Sequence, residues 1–241
     1  MLPDPSPLLF VSFVAVVLVV VVALVCGARS AETDAVGKRQ ATLRAALFLG
    51  GWLLLTGGLG LSRVLQDFSM PPKAPMLFLA MMAATVGLGR SRYGAKLATR
   101  LPLWFLVGIH VFRLPLELVM HRAHTEGIMP VQMSFSGRNF DIVTGVLAVV
   151  CGTLAWRNRL APGVAKSFNW IGLGLLVNVL VIAIASMPTP LRVFMNEPPN
   201  VWVAHFPFIW LPAVLVQTAL LSHVLLFRRL ASRSGDRKSV V

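Results

Sequence analysis

The chain has 241 residues, of which 56% are hydrophobic and only 13% are charged, whereas soluble globular chains are about 45–50% apolar and about a quarter charged. The formal net charge of +13 does not indicate a nucleic-acid partner, because the basic residues separate apolar stretches instead of clustering on one soluble segment. These properties exclude an ordinary soluble domain. They predict a single all-α transmembrane domain, residues 1–241, whose main partner is the lipid bilayer.

Seven segments approach the length of about 20 mostly apolar residues that a helix needs to cross a bilayer. In chain order, the first to seventh segments lie at about residues 8–26, 45–62, 74–89, 101–121, 141–156, 168–187 and 203–227. The second segment is rich in glycine, and small residues let membrane helices approach closely, so we expect it at the centre of a seven-helix bundle. The third segment is short, so a re-entrant or half-buried helix is the alternative there.

The distribution of basic residues predicts the orientation. Residues 29–44, 90–100, 157–166 and 228–241 hold 16 of the 22 Lys and Arg residues, and the connections that alternate with them hold 5. The positive-inside rule therefore places the N-terminus outside and residues 228–241 in the cytoplasm as a tail. The same alternation favours a full crossing by the third segment. A cleaved signal peptide is the alternative for the first segment, but residues 1–7 lack the usual basic region.

The fourth segment carries a polar stripe. Its residues are spaced by 3, 4, 4 and 3 positions and comprise His110, Arg113, Glu117, His121 and His124. This spacing places them within an arc of roughly 80° on one helix face. Glu117 lies one turn beyond Arg113, so we expect the two to pair, and Pro115 predicts a kink. Ionisable groups inside a span indicate a functional site, and the alternative is a structural pair that ties helices together.

Two long connections, residues 125–140 and 188–202, mix apolar residues with isolated polar ones. This pattern predicts that they fold back over the bundle and line a partly dry pocket, and the alternative is that they lie on the lipid headgroups. Asp141 could also serve only as a helix cap. We expect an outward-opening polar pocket between the fourth, fifth and seventh segments. Its predicted substrate-binding residues are Arg113, Glu117, His121, His124, Arg138, Asn139, Asp141, Asn196, Glu197 and His205.

Several kinds of chemistry are compatible with such a pocket. Carboxylate and imidazole ligands suit zinc, and the candidate ligands are Glu117, His121, His124 and His205. A retinal Schiff base is excluded because no segment contains lysine. Haem needs two histidines at one depth on different helices, for which His110 and His223 are the candidates, but it is disfavoured because a lone membrane histidine more often packs or forms a hydrogen bond. Binding and movement of a small polar solute or of protons needs the fewest assumptions. The alternative is a metal-dependent membrane enzyme acting on a lipid-like substrate. The sequence leaves catalytic residues and oligomeric state open.

Three stretches carry a resemblance to a known family. They read FRLPLELVMHRAHTEGIMPVQMSFSGRNFDI, PTPLRVFMNEPP and HFPFIWLP. The chain resembles an uncharacterised family of bacterial multi-spanning inner-membrane proteins over about residues 101–227. The resemblance implies a multi-pass protein of the bacterial inner membrane and supplies no activity and no catalytic residues.

Overall fold

The computed structural model describes residues 3–238, and this range contains helices and loops but no strand, which confirms the all-α class. The α-helices within it are α1 Pro7–Ser30, α2 Ala35–Leu61, α3 Lys73–Arg90, α4 Arg92–Arg100, α5 Leu103–Gly108, α6 Arg113–Thr125, α7 Ile142–Trp156, α8 Pro162–Ala185 and α9 Val216–Lys238. The predicted tail, residues 228–241, is helical as far as Lys238, and residues 239–241 lie outside the described range.

Several of these helices are long and apolar enough to cross a membrane. Five described stretches qualify alone, namely Pro7–Ser30, Ala35–Leu61, Leu103–Thr125, Pro162–Ala185 and Leu211–Ser232. The pair α3 and α4, bent by 67°, adds a sixth if it counts as one span. The apolar helix α7 has 15 residues and is therefore only about 22 Å long. Composition and length thus give five or six candidate spans.

Side chains cap the starts of three helices. The Ser6 hydroxyl accepts a hydrogen bond from the Leu9 amide at the start of α1, at 3.2 Å. Asp34 caps α2 in the same way. At the bend between α3 and α4, the Ser91 hydroxyl accepts from the Gly94 amide at 3.1 Å. A Cβ on Gly94 would lie 2.3 Å from the Gly89 carbonyl oxygen, so the bend requires glycine there.

The central helix of the bundle is α9, not α2. In α9 and the turn before it, 67% of the residues in the most apolar stretch are buried, against 17% in α2. The prediction that the glycine-rich second segment is central is therefore wrong. Gly50, Gly51 and Gly58 have no neighbouring side chain where a Cβ would lie, so only part of the glycine-rich surface of α2 packs against other helices.

Two irregular helical turns lie within two of the candidate spans. A 3₁₀ turn, Ile109–Phe112, separates α5 from α6, and a π-helical turn, Leu211–Leu215, precedes α9. Pro115, where the sequence predicts a kink, lacks the amide that would otherwise bond the Val111 carbonyl, and the 3₁₀ turn ends three residues before it. Pro212 lies within the π-helical turn. Such turns inside long helices frequently occur at functional sites.

The two long connections fold back over the bundle, as the sequence predicts. Ile128, Met129 and Met133 are each at most 1% exposed and belong to the main hydrophobic core. In the second connection, the Asn200 side-chain amide donates to the Ala183 carbonyl at the end of α8, at 2.9 Å. Trp202 is also buried. Residues of both connections are therefore buried against the helices of the bundle.

Candidate functional site

A buried network of polar side chains joins α6, α7, α8 and α9 around Arg113, which is 1% exposed. One guanidinium nitrogen, Nη1, donates to Asp141 Oδ1 and also approaches the Gly172 carbonyl oxygen at 3.4 Å. The other, Nη2, lies 3.4 Å from His223 Nε2. Of the five ion pairs among the described residues, this is the one in which both side chains are buried. A single side chain therefore contacts three other helices inside the bundle.

The predicted pairing of Arg113 with Glu117 is wrong. The two are neighbours on one helix face, but the guanidinium extends towards the start of α7, where it meets Asp141. Glu117 is 1% exposed and its Oε1 accepts from the Asn139 side-chain amide at 2.8 Å. Its Oε2 has no hydrogen-bond partner among the residues that the structure describes. Glu117 is thus a buried carboxyl group with one free oxygen.

Asn139 connects the Glu117 carboxyl group to the backbone of Asp141. Its side-chain nitrogen donates both to Glu117 Oε1 and to the Met133 carbonyl, at 2.8 and 2.9 Å, and its Oδ1 accepts from the Asp141 amide at 2.9 Å. The Asp141 side chain makes no cap hydrogen bond to the backbone of α7, and instead accepts from the Thr144 hydroxyl at 3.1 Å. The helix-cap alternative for Asp141 therefore does not hold, because its carboxylate is turned towards Arg113.

On the other side of Arg113 lie two histidines. His223 Nδ1 is 2.7 Å from Asn169 Oδ1, while the Asn169 side-chain nitrogen donates to the His223 carbonyl at 3.1 Å. An amide oxygen only accepts, so Nδ1 carries a proton and Nε2 accepts from Arg113, which makes the imidazole neutral. The His110 ring lies 4.2 Å from the His223 ring between centroids. Neither His110 nitrogen has a hydrogen-bond partner within the described part of the chain.

Gly172 allows α8 to approach this network. A Cβ at position 172 would lie 2.7 Å from His223 Cε1 and 3.0 Å from Thr144 Cγ2. Both distances are shorter than ordinary van der Waals contact, so any side chain here would displace the histidine or separate α8 from α7. The absence of a side chain at Gly172 is what lets its carbonyl oxygen reach Arg113.

A small cavity of about 30 Å³ lies beside the network. Its polar lining consists of Arg113, Glu117 and Asp141, and the remaining lining is apolar and includes Leu211 and Leu215 of the π-helical turn. About 10–15 Å³ on this measure admits one water molecule, so the cavity has room for water and not for a larger solute. The structure therefore shows a water-sized cavity where the sequence predicts a substrate-sized, outward-opening pocket.

Residues 73–231 match a protein family described as "Domain of unknown function (DUF8737)". The chain belongs to the DUF8737 family. No curated protein and no solved structure matches it. The DUF8737 match contains every residue of the buried network and leaves α1 and α2 outside. It agrees with the resemblance in its coarser form, that of an uncharacterised domain with several apolar helices.

Within the DUF8737 region, the other predicted site residues do not join the network. His121 Nδ1 lies 3.0 Å from the Ser136 hydroxyl, and the ring stacks on Phe135. The guanidinium carbon of the exposed Arg138 lies over the Phe194 ring, 5.2 Å from the ring centroid. Glu197 pairs with Arg192, which also donates to the Asn196 carbonyl. The predicted pocket residues thus divide into two groups, of which the network contains Arg113, Glu117, Asn139 and Asp141.

The four predicted zinc ligands are not brought together. His124 Nδ1 lies 3.3 Å from the Met129 carbonyl oxygen, and His205 Nδ1 lies 3.0 Å from the Val201 carbonyl oxygen. Glu117 instead accepts a hydrogen bond from Asn139. The described residues contain no group of three or more His, Cys, Asp or Glu side chains with metal-binding geometry. The metal-dependent enzyme therefore gains no support from a ligand set.

Four further residues of the buried network lie outside the predicted pocket, namely His223, Asn169, Thr144 and Gly172. Their signal in the sequence is that polar or small residues interrupt apolar helices, which marks Asn169 and His223 as polar residues inside predicted spans but does not place them beside Arg113. Asn169 and Gly172 are three positions apart on α8, which places them on one face. That spacing alone does not indicate which helix the face meets.

Proposed function

We propose that this protein binds and moves protons across a membrane, and that Glu117 is the group that takes up and releases the proton. The observation that carries the proposal is the buried Glu117 carboxyl, whose Oε2 has no partner among the described residues although the Arg113–Asp141 ion pair is close by. Ionisable groups inside membrane spans are expensive, and proton relays are one of the roles they serve.

The charge balance of the network supports a proton on Glu117. The network contains one fixed cation, Arg113, and two carboxyl groups, while His223 is neutral because its Nε2 accepts from Arg113. With both carboxyl groups ionised, the buried cluster would carry a net negative charge, which is costly away from water. Asp141 receives the guanidinium and a hydroxyl, whereas Glu117 receives a single amide. Glu117 is therefore the carboxyl group that holds the proton in this arrangement.

Polar groups continue from Glu117 in both directions. Outward, the backbone amide of Asn139 donates to the Ser134 carbonyl, and the Ser134 hydroxyl accepts from the backbone amide of Ser136. The Ser136 hydroxyl in turn contacts the ring of the half-exposed His121. In the other direction lie Arg113 and the rings of His223 and His110, all of which are buried. The water-sized cavity beside Glu117 favours a proton over a larger polar solute as the species that moves.

The proposal includes a membrane arrangement. We infer seven spans in a bacterial inner membrane, with the N-terminus outside and the C-terminus inside. The positive-inside alternation supports this arrangement, because it requires both α3 and the short helix α7 to cross. The 67° bend after α3 then lets α4 lie along the cytoplasmic surface with its basic residues in water.

The experiment is proton flux into liposomes that contain the purified protein and a trapped pH-sensitive dye, driven by a potassium diffusion potential. Wild-type protein should raise the rate of acidification above that of empty liposomes, and Glu117→Gln should abolish the increase. Glu197→Gln is the matched control, since Glu197 is an exposed loop carboxylate, and should conduct like wild type. Flux in Glu117→Gln equal to that of wild type, or no flux in wild type, would overturn the proposal.

A further inference from the structure

A long cleft separates the first half of α2 from the rest of the bundle. The second half of α2 is fixed by indole hydrogen bonds, from Trp52 Nε1 to the Ala213 carbonyl at 2.9 Å and from Trp210 Nε1 to the Leu53 carbonyl at 3.2 Å. The buried residues of α2, Thr56, Gly57 and Gly60, all lie in this half. Residues 35–49 contain no buried residue, although most of residues 41–49 are apolar.

The cleft is large and continuous. Its basic end, where the connections rich in Lys and Arg lie, has a volume of about 640 Å³ between α1, α2, α4, α5 and α9. An adjoining part of about 470 Å³ extends between α2, α3 and α9. The two parts share lining residues, namely Leu24, Phe48, Leu49, Leu88, Thr218 and Leu221. Each part has the size of a small-molecule site, and together they form one elongated groove.

The lining changes from polar to apolar along the groove. Gln40, Arg44 and Tyr93 line the basic end, whereas the far part is lined almost entirely by apolar side chains such as Leu77 and Met81. A ligand that matches this lining has one polar end and a long apolar remainder. That description fits an amphiphile and does not fit a partner helix, which would present an apolar face along its whole length.

The basic end also carries uncompensated positive charge. The one acidic residue lining it, Glu32, is already paired with Lys96. Arg44 is exposed and has no hydrogen bond or ion pair among the described side chains. Under the proposed orientation, this end faces the cytoplasmic leaflet, where basic pockets between helices bind anionic headgroups.

We propose that the groove binds one phospholipid with an anionic headgroup, its phosphate near Arg44 and an acyl chain along the apolar part towards Leu77 and Met81. This site does not involve Glu117 and stands independently of the proton proposal. It lies partly on α1 and α2, outside the region that matches the family.

The test is native mass spectrometry of the full chain in a mild detergent, titrated with phosphatidylglycerol or with phosphatidylcholine of the same acyl chains. Wild type should bind one phosphatidylglycerol about fivefold more tightly than phosphatidylcholine, the preference that one additional basic contact provides. Arg44→Gln should remove that preference. Arg39→Gln, the same change on the same helix outside the groove, should keep it.

A second pair of variants tests the groove itself. Ala45 lines it and Ala46 does not, so Ala45→Trp should weaken binding of both lipids while Ala46→Trp should not. Equal affinity of wild type for the two lipids, or equal loss of preference in Arg39→Gln and Arg44→Gln, would overturn the proposal. So would a lipid-free dimer in place of the lipid-bound monomer, because a second copy would then cover the groove.

Discussion

The guanidinium of Arg113 on α6 pairs with the carboxylate of Asp141 at the start of α7, although Glu117 lies one turn away on its own helix. The two carboxyl groups of the network therefore have different roles. Asp141 is the counter-charge that allows an arginine to be buried, and Glu117 is left with a single amide donor. This division makes the two residues respond differently to the same chemical change.

Replacing each carboxyl group by its amide should separate these roles. Asp141→Asn leaves Arg113 buried without a counter-charge and should lower the free energy of unfolding by about 3–5 kcal/mol. Glu117→Gln keeps the acceptor oxygen for Asn139 and removes only a titratable proton, so its effect should stay below about 1 kcal/mol. Thermal unfolding of both variants in the same detergent measures the difference. Equal destabilisation would mean that Glu117 is ionised and shares the charge of Arg113.

Packing at Gly172 gives a second prediction. Gly172→Ala places a Cβ 2.7 Å from His223 Cε1 and should destabilise the protein by about 1–3 kcal/mol through overpacking. Gly174→Ala is the matched control on the same helix, because no neighbouring helix or side chain lies within 4 Å of the position that its Cβ would take. The control should be neutral or stabilising by up to about 1 kcal/mol, since alanine favours helix. The melting temperature of Gly172→Ala should therefore be lower than that of Gly174→Ala. The opposite order would contradict the close approach of α8 to His223.

An acidic residue just after α6 gives a pH prediction. Glu126 accepts hydrogen bonds from the Ser6 amide and hydroxyl, at 2.9 and 2.6 Å, and from Arg122 Nε at 2.7 Å. Burial raises the pKa of Glu126, but the hydrogen bonds from Ser6 and from Arg122 outweigh it and leave the pKa below its usual value of 4.5. The stabilisation is therefore complete above that pH and is lost as pH falls through the lower folded value.

The measurement compares melting temperatures of wild type and Glu126→Gln between pH 7 and pH 3. Wild type should have the higher melting temperature at pH 7. The difference between the two melting temperatures should decrease as the pH falls below 4.5, the usual pKa of glutamate. A gap for Glu126→Gln that does not change with pH would contradict the role of its ionised carboxylate.

The membrane arrangement predicts the location of fusion points. A reporter that is active only in the cytoplasm should be active when fused after Tyr93 or after Val241, and silent when fused after Asn196. Activity after Asn196 would reverse the proposed orientation. A silent reporter after Tyr93, with the other two as expected, would mean that Lys73–Arg90 does not cross the membrane.

Some features of this protein follow from the sequence because they are local. Its long apolar runs indicate an all-α chain with several helices long enough to cross a membrane, and a spacing of four residues places Arg113 and Glu117 on one face of a helix. The mixed composition of residues 125–140 likewise predicts that they fold onto the bundle, because removing isolated apolar side chains such as Met133 from water lowers the free energy of the protein.

Only the tertiary structure decided which partners meet. Asp141 and His223 are 28 and 110 positions from Arg113, and no periodicity connects them, since a guanidinium pairs with whichever acceptor the packing of neighbouring helices brings within reach. The glycines show the same limit. Gly50 faces open space while Gly172 lies against His223, although both are glycines in apolar helices. A small side chain permits close approach, but whether a neighbour makes that approach depends on the packing of the whole bundle.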